Sequence, residues 1–117
     1  MSDKIDVAVI VGSLRKGSFN RKAALELARL APEDMALRIV EIGDLPHYDE
    51  DKETDSPPAA WTAFREAIVP ADALLFVTPE YNRSVPGVLK NAIDVGSRPY
   101  GSSVWMGKPA AGMTVSP

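Results

Sequence analysis

Cysteine is absent from this chain, so no disulfide framework, thiolate metal site or cysteine nucleophile is available to it. Histidine is nearly absent too. His47 is the single one, with no cysteine, second histidine or placed carboxylate pair beside it, which argues against a metal centre or histidine acid–base chemistry. No apolar run approaches the about 20 residues a membrane helix needs, and the start, Met1-Ser2-Asp3-Lys4, lacks the pattern of a signal peptide. A cytoplasmic protein is expected. Nor is there a dense Lys/Arg run: 13 basic residues against 16 acidic ones leave a net charge of −3, which gives no reason to expect nucleic acid or an anionic membrane as partner. A small-molecule ligand fits better.

What the chain does have is 117 residues with 45% hydrophobic content and no internal repeat, the makings of one globular domain over 1–117. Its most informative stretch is Val7 to Asn20. Val7–Val11 is an unbroken apolar, largely β-branched run of the kind buried on both faces of a parallel sheet. It breaks at Gly12 into a loop of small, hydroxylated and basic residues that runs into a helical pattern near Phe19. Strand, polar loop and helix N-terminus together make an anion site. Gly12 and Gly17 have the spacing of a triphosphate-binding loop, but Ser18 stands where its lysine should be, and the G-x-G-x-x-G dinucleotide fingerprint is also missing. A terminal monophosphate remains, held by Ser13, Ser18, the Asn20 amide, backbone N–H groups and Arg15. A plain surface turn with Ser18 as helix cap is the competing reading.

The rest of the chain alternates. Phe19, Ala23, Ala24, Leu27, Leu30 and Ala31 recur at helical spacing, closed by Pro32, and Leu37–Ile42 reads as a second strand near an edge. The acidic segment 44–56 predicts a solvated loop. Ser56 and Pro57 predict the cap and first turn of a second helix with Trp61, Phe64 and Ile68 inward. Ala73–Val77 is a third apolar strand that again breaks into a polar loop, Thr78 to Ser84. A helix with Pro86 in its first turn follows, stopped by Gly96, then a loop over 98–107 and a weaker fourth strand from Pro109 to Val115. Strands alternating with helices imply an α/β parallel sheet with right-handed crossovers. In flavodoxin-like order its ligand crevice lies between the first and third strands, the two that end in polar loops.

GSLRKGSFNR (12–21) and PEYNRSVPGVLKNAID (79–94) together closely resemble the NADPH-dependent FMN reductase family, whose flavodoxin-like members include quinone, azo-dye and chromate reductases. The resemblance implies a doubly wound sheet, bound FMN with NADPH or NADH as co-substrate, and a quinone, azo or similar acceptor. No protein residue is then catalytic, because the cofactor performs the redox step. It further implies that Ser13, Arg15, Ser18, Phe19 and Asn20 surround the FMN phosphate while Pro79, Glu80, Tyr81, Asn82 and Ser84 line the ribityl chain and isoalloxazine. Backbone N–H groups from Tyr81 to Ser84 would face flavin N5 and its neighbouring carbonyl. Thr114, Ser116 and Pro117 match the loop after the fourth strand only in part.

The family also implies a homo-oligomer, dimer or tetramer, and residues around Tyr81, Val85 and Tyr100 are expected to be exposed for it. Its domain continues through another helix, a fifth strand and a final helix, so the chain is expected to lack a C-terminal α-β-α portion. A fragment, a truncated product or one half completed by a second polypeptide would fit, and such a piece is not expected to be a stable reductase alone. A flavin-binding electron carrier without nicotinamide turnover, or an inactive fragment of a reductase, is the alternative.

Overall fold

A computed structural model describes residues 4–116. Strand β1 (Ile5–Val11) leads into helix α1 (Phe19–Leu30), then β2 (Met35–Ile39), α2 (Ala59–Ile68), β3 (Ala73–Val77), α3 (Gly87–Gly96) and β4 (Ala110–Met113). All strand pairs are parallel and the order is β2-β1-β3-β4. The flavodoxin-like order expected from the alternation is therefore the one observed, with β2 and β4 at the edges. β1 is central, and Ala8, Val9 and Ile10 are wholly buried, as an uninterrupted apolar run requires when both faces are covered.

The two faces separate by residue parity. Val7, Val9 and Val11 pack with Ala24 of α1 and Val77, while Ala8, Ile10 and Leu74 face Trp61, Phe64 and Ile68 of α2 and Leu89, Ala92 and Val95 of α3. The expected inward face of α2 is thus core. β4 differs: all four of its residues are exposed.

Several boundaries depart from expectation for physical reasons. The second strand ends at Ile39 and not Ile42: Val40 N makes a last bond to Val9 O at 2.9 Å, and Val40 and Ile42 are buried by packing in the α2–α3 layer and not by strand pairing. Ser56 does not cap α2. A residue before proline is driven to extended backbone, so Pro57-Pro58 delays the helix until Ala59, and Pro58 contributes only its carbonyl, which accepts from Trp61 N and Thr62 N. Pro86 likewise stands just before α3. Gly96 does not stop that helix by a left-handed turn. It is glycine because a Cβ there would lie 2.6 Å from the Trp105 ring.

The acidic segment is not merely solvated either. Tyr48 stacks on Trp61 with ring centroids 5.1 Å apart, and its N–H donates to Asn91 Oδ1. Burial, with the Glu53 carboxylate nearby, pushes the Tyr48 phenol up. Glu53 takes a bidentate ion pair from Arg65, at 2.6 and 3.1 Å, with both side chains under 15% exposed. Arg65 also donates from Nε to the Val95 carbonyl and lies over the Trp61 ring. Arg65→Ala removes all three interactions and leaves Glu53 unpaired. It should cost about 2–3 kcal/mol in urea unfolding, somewhat below the about 3–5 kcal/mol of fully buried pairs, while Lys90→Ala, at an exposed helix pair, should cost under about 0.5 kcal/mol.

Candidate functional site

Two loops leave the carboxyl end of the sheet side by side because Val11 is in register with Val77. Gly12 N donates to the Val77 carbonyl at 2.9 Å, and Thr78 N continues the ladder to Met113 O at 3.0 Å. The chains approach so closely here that a Cβ on Gly12 would stand 2.2 Å from Thr78 Oγ1 and 2.7 Å from Thr78 Cβ. Only glycine fits.

In the first loop, Ser18 N donates to the Arg15 carbonyl, which turns the chain into α1, and Ser18 Oγ accepts from Arg21 N at 3.3 Å as the helix cap. Ser18 is buried, lines the hollow at the helix N-terminus, and keeps a hydroxyl proton that it can donate. Arg15 folds back over the loop, its guanidinium 3.9 Å from where a Gly17 Cβ would be. No acidic residue lies between Gly12 and Asn20, so the positive helix end and two basic side chains act unopposed within the loop.

Asn20 has a different part from the one expected. Its buried amide donates from Nδ2 to Val115 O at 3.2 Å and accepts at Oδ1 from Val115 N at 3.1 Å. The amide thereby clamps the segment after β4 to the start of α1, leaving one N–H for a ligand. This pairing was invisible in the sequence, since the partner lies 95 positions away and offers only backbone.

The second loop is a tight hairpin. Tyr81 and Ser84 exchange backbone hydrogen bonds of 2.9 and 3.1 Å around Asn82 and Arg83, whose φ values of 53° and 64° make a type I′ turn. The N–H groups of Tyr81 and Ser84 are therefore spent inside the hairpin. Of the four expected to face the flavin, those of Asn82 and Arg83 are left without a backbone partner among the described residues.

A hollow of about 160 Å³ collects Ser13, Arg15, Ser18, Phe19, Asn20, Pro79 and Tyr81, with Val115 closing it. Beside it a cleft of about 300 Å³ runs between the loops along Gly12, Leu14, Tyr81, Pro86 and Val88. Of the expected residues, Glu80, Asn82, Ser84, Thr114 and Ser116 line neither space. Pro117 lies outside the described residues. Phe19 is 45% and Tyr81 54% exposed, so both offer ring surface, whereas Val85 packs against the core below α3. Tyr100 is exposed as expected. Among the described residues no group of three His, Cys, Asp or Glu could hold a metal, and no helix is long and apolar enough to cross a membrane.

A small hollow with hydroxyls, a guanidinium and a helix N-terminus suits a phosphate, and the adjoining cleft with exposed rings suits a flat group attached to it. The donors fit FMN. Gly12→Ala should lower stability by about 1–3 kcal/mol, since the backbone and Thr78 must separate, and should weaken FMN binding measured by flavin fluorescence. Asn20→Ala should cost about 1–3 kcal/mol and speed amide exchange at Val115, because both clamp bonds are lost.

Residues 5–117 match the family described as NADPH-dependent FMN reductase. A quinone reductase of Pseudomonas putida is 67% identical over all 117 residues, which span 63% of that protein. A 2-hydroxy-1,4-benzoquinone reductase of a Burkholderia species is 57% identical over 92% of this chain and 58% of its own length. Among solved structures, the flavoenzyme NAD(P)H:(acceptor) oxidoreductase FerB of Paracoccus denitrificans superposes with a TM-score of 0.89 at 48% identity, covering 96% of this chain and 61% of FerB. The chain thus spans about three fifths of the length of these relatives. With the matched residues running through both polar loops and all four strands, the chain belongs to the NADPH-dependent FMN reductase family.

Proposed function

We propose that this chain carries the FMN site of an NAD(P)H-dependent oxidoreductase whose acceptors are quinones, with azo compounds as a further class. The observation that carries the reading is the convergence of the loops after β1 and β3 on one phosphate-sized hollow at the start of α1. Relatives named quinone reductase support it.

Ser13, Ser18 and Arg15 would hold the FMN phosphate, helped by the remaining Asn20 N–H and the free N–H groups at the start of α1. The flavin would lie in the cleft toward Tyr81 and Pro86. When bound, FMN supplies the two-electron chemistry, accepting hydride from the nicotinamide and returning electrons to the acceptor. The chain's own task is placement. The N–H groups of Asn82 and Arg83, fixed by the type I′ turn, would donate to the polar edge of the ring system and favour negative charge there. The Tyr81 ring would wall the cleft and exclude water from one side. Exposed Tyr81 and Tyr100 are offered to a second copy in a homo-oligomer, and the open edge at β4 would be completed by a further segment of protein.

The test is to purify the protein, record its absorbance for bound flavin and follow NADPH oxidation with benzoquinone added. A yellow protein that turns over is expected; a colourless one that takes up no FMN overturns the reading. Arg15→Ala should weaken FMN about tenfold or more and riboflavin little, the signature of a lost charge-assisted phosphate contact. Equal losses for the two ligands would show that Arg15 does not read the phosphate.

A further inference from the structure

On the other side of the first loop lies a separate space of about 350 Å³, between that loop and the chain leaving β2. Small-molecule pockets run from about 300 to 1,000 Å³, so this one suits a mononucleotide-sized group and not a whole dinucleotide. Its apolar wall comes from Leu14, Ile39 and Ile42. Leu14 reaches across the gap, its Cδ2 3.1 Å from where a Cβ on Gly43 would stand. Its polar rim is Arg15, Lys16, Arg21 and Glu41, three cations to one carboxylate in a chain of net charge −3. Local sign and overall sign are opposed, which concentrates an anionic ligand at this spot.

The one carboxylate is engaged. Glu41 accepts from Arg21 at 2.6 and 3.3 Å, whereas Arg15 and Lys16 make no ion pair among the described residues. Glu41 follows the carboxyl end of β2, the place where dinucleotide-binding sheets set an acid against ribose hydroxyls or an arginine against a 2′-phosphate. Here acid and arginine are tied together, Arg15 is assigned to the flavin phosphate across the loop, and the positive charge left to this space is that of Lys16. This space and the cleft assigned above to the flavin ring share Ser13, Leu14 and Arg15, so one extended molecule can straddle the loop.

We infer that the space between the β1–α1 loop and the end of β2 seats the adenosine half of the nicotinamide co-substrate, with Lys16 reading its 2′-phosphate. The inference rests on the redox reading above and deepens it: the structure would favour NADPH over NADH by charge at Lys16. The adenine ring lies against Leu14 and Ile39, and the nicotinamide end crosses the loop toward the flavin.

The experiment is calorimetric titration of the protein, with saturating FMN present, using adenosine 2′,5′-bisphosphate and, separately, 5′-AMP. The bisphosphate should bind about tenfold tighter or better, and Lys16→Ala should shrink that preference about five- to tenfold with FMN affinity unchanged. Lys16→Arg should restore it. Equal affinities for the two nucleotides, or a preference untouched in Lys16→Ala, overturns the assignment. So does a bisphosphate signal that disappears when FMN is added, since it would come from the flavin phosphate hollow. Because the titration reads the space without turnover, a protein that takes up no FMN yet discriminates the nucleotides defeats the flavin reading and upholds this site, whereas flavin uptake without discrimination defeats this site alone.

Discussion

The parallel register that sets Val7–Val11 against Ala73–Val77 fixes where both polar loops leave the sheet, and the remaining geometry of the site follows from it. A slip of one residue would turn every side chain of β1 to the opposite face, exposing Val9 to the α2–α3 layer and Ile10 to α1, so the register is enforced by burial on both sides. With it enforced, Gly12 meets Thr78, and the two loops share a wall. The same central strand aligns β2, whose exit path borders the second space beside the loop.

The site spends many of its own polar groups on shape. Ser18 caps a helix, Asn20 clamps Val115, Thr78 Oγ1 donates to the Pro79 carbonyl, and Tyr81 and Ser84 close a hairpin. Each bond removes a potential ligand contact and fixes the direction of one that remains. The paired left-handed residues Asn82 and Arg83 carry this furthest, since arginine in that conformation costs energy that the flanking hairpin bonds must offset. A loop so constrained loses little further entropy when a ligand arrives.

How legible this was depended on whether the relevant contact was local. β1 and β3 read clearly because a strand buried on two faces must be apolar throughout, and the loops after them read clearly because polarity begins abruptly at Gly12 and Thr78. The strand ends of β2 were misplaced because apolar character reports burial and not pairing, and Ile42 is buried beyond the last bond to β1, which Val40 N makes. Glu53 and Tyr48 looked like solvated loop because their partners, Arg65 and Trp61, sit on a helix that the loop folds over. Gly96 carried a helix-stop signal locally, while its real constraint is an indole ring from the next loop. The Asn82-Arg83 turn lacks the Asn-Gly pair that announces a type I′ hairpin, and nothing near Asn20 pointed to Val115.

The clamp between Asn20 and Val115 also orders events in time. It closes a loop spanning 95 positions, so its entropic cost falls due only when β4 has already aligned on β3. Local turns around Arg15–Ser18 and the α1 helix can form early, but the wall that Val115 supplies to the hollow at the start of α1 is a non-local contact, and such contacts form late. During synthesis the first loop emerges long before its closing residue does. The nascent chain therefore passes through a stage in which β1 and α1 are present and the hollow is open on one side, and its closed shape has to wait for residue 115.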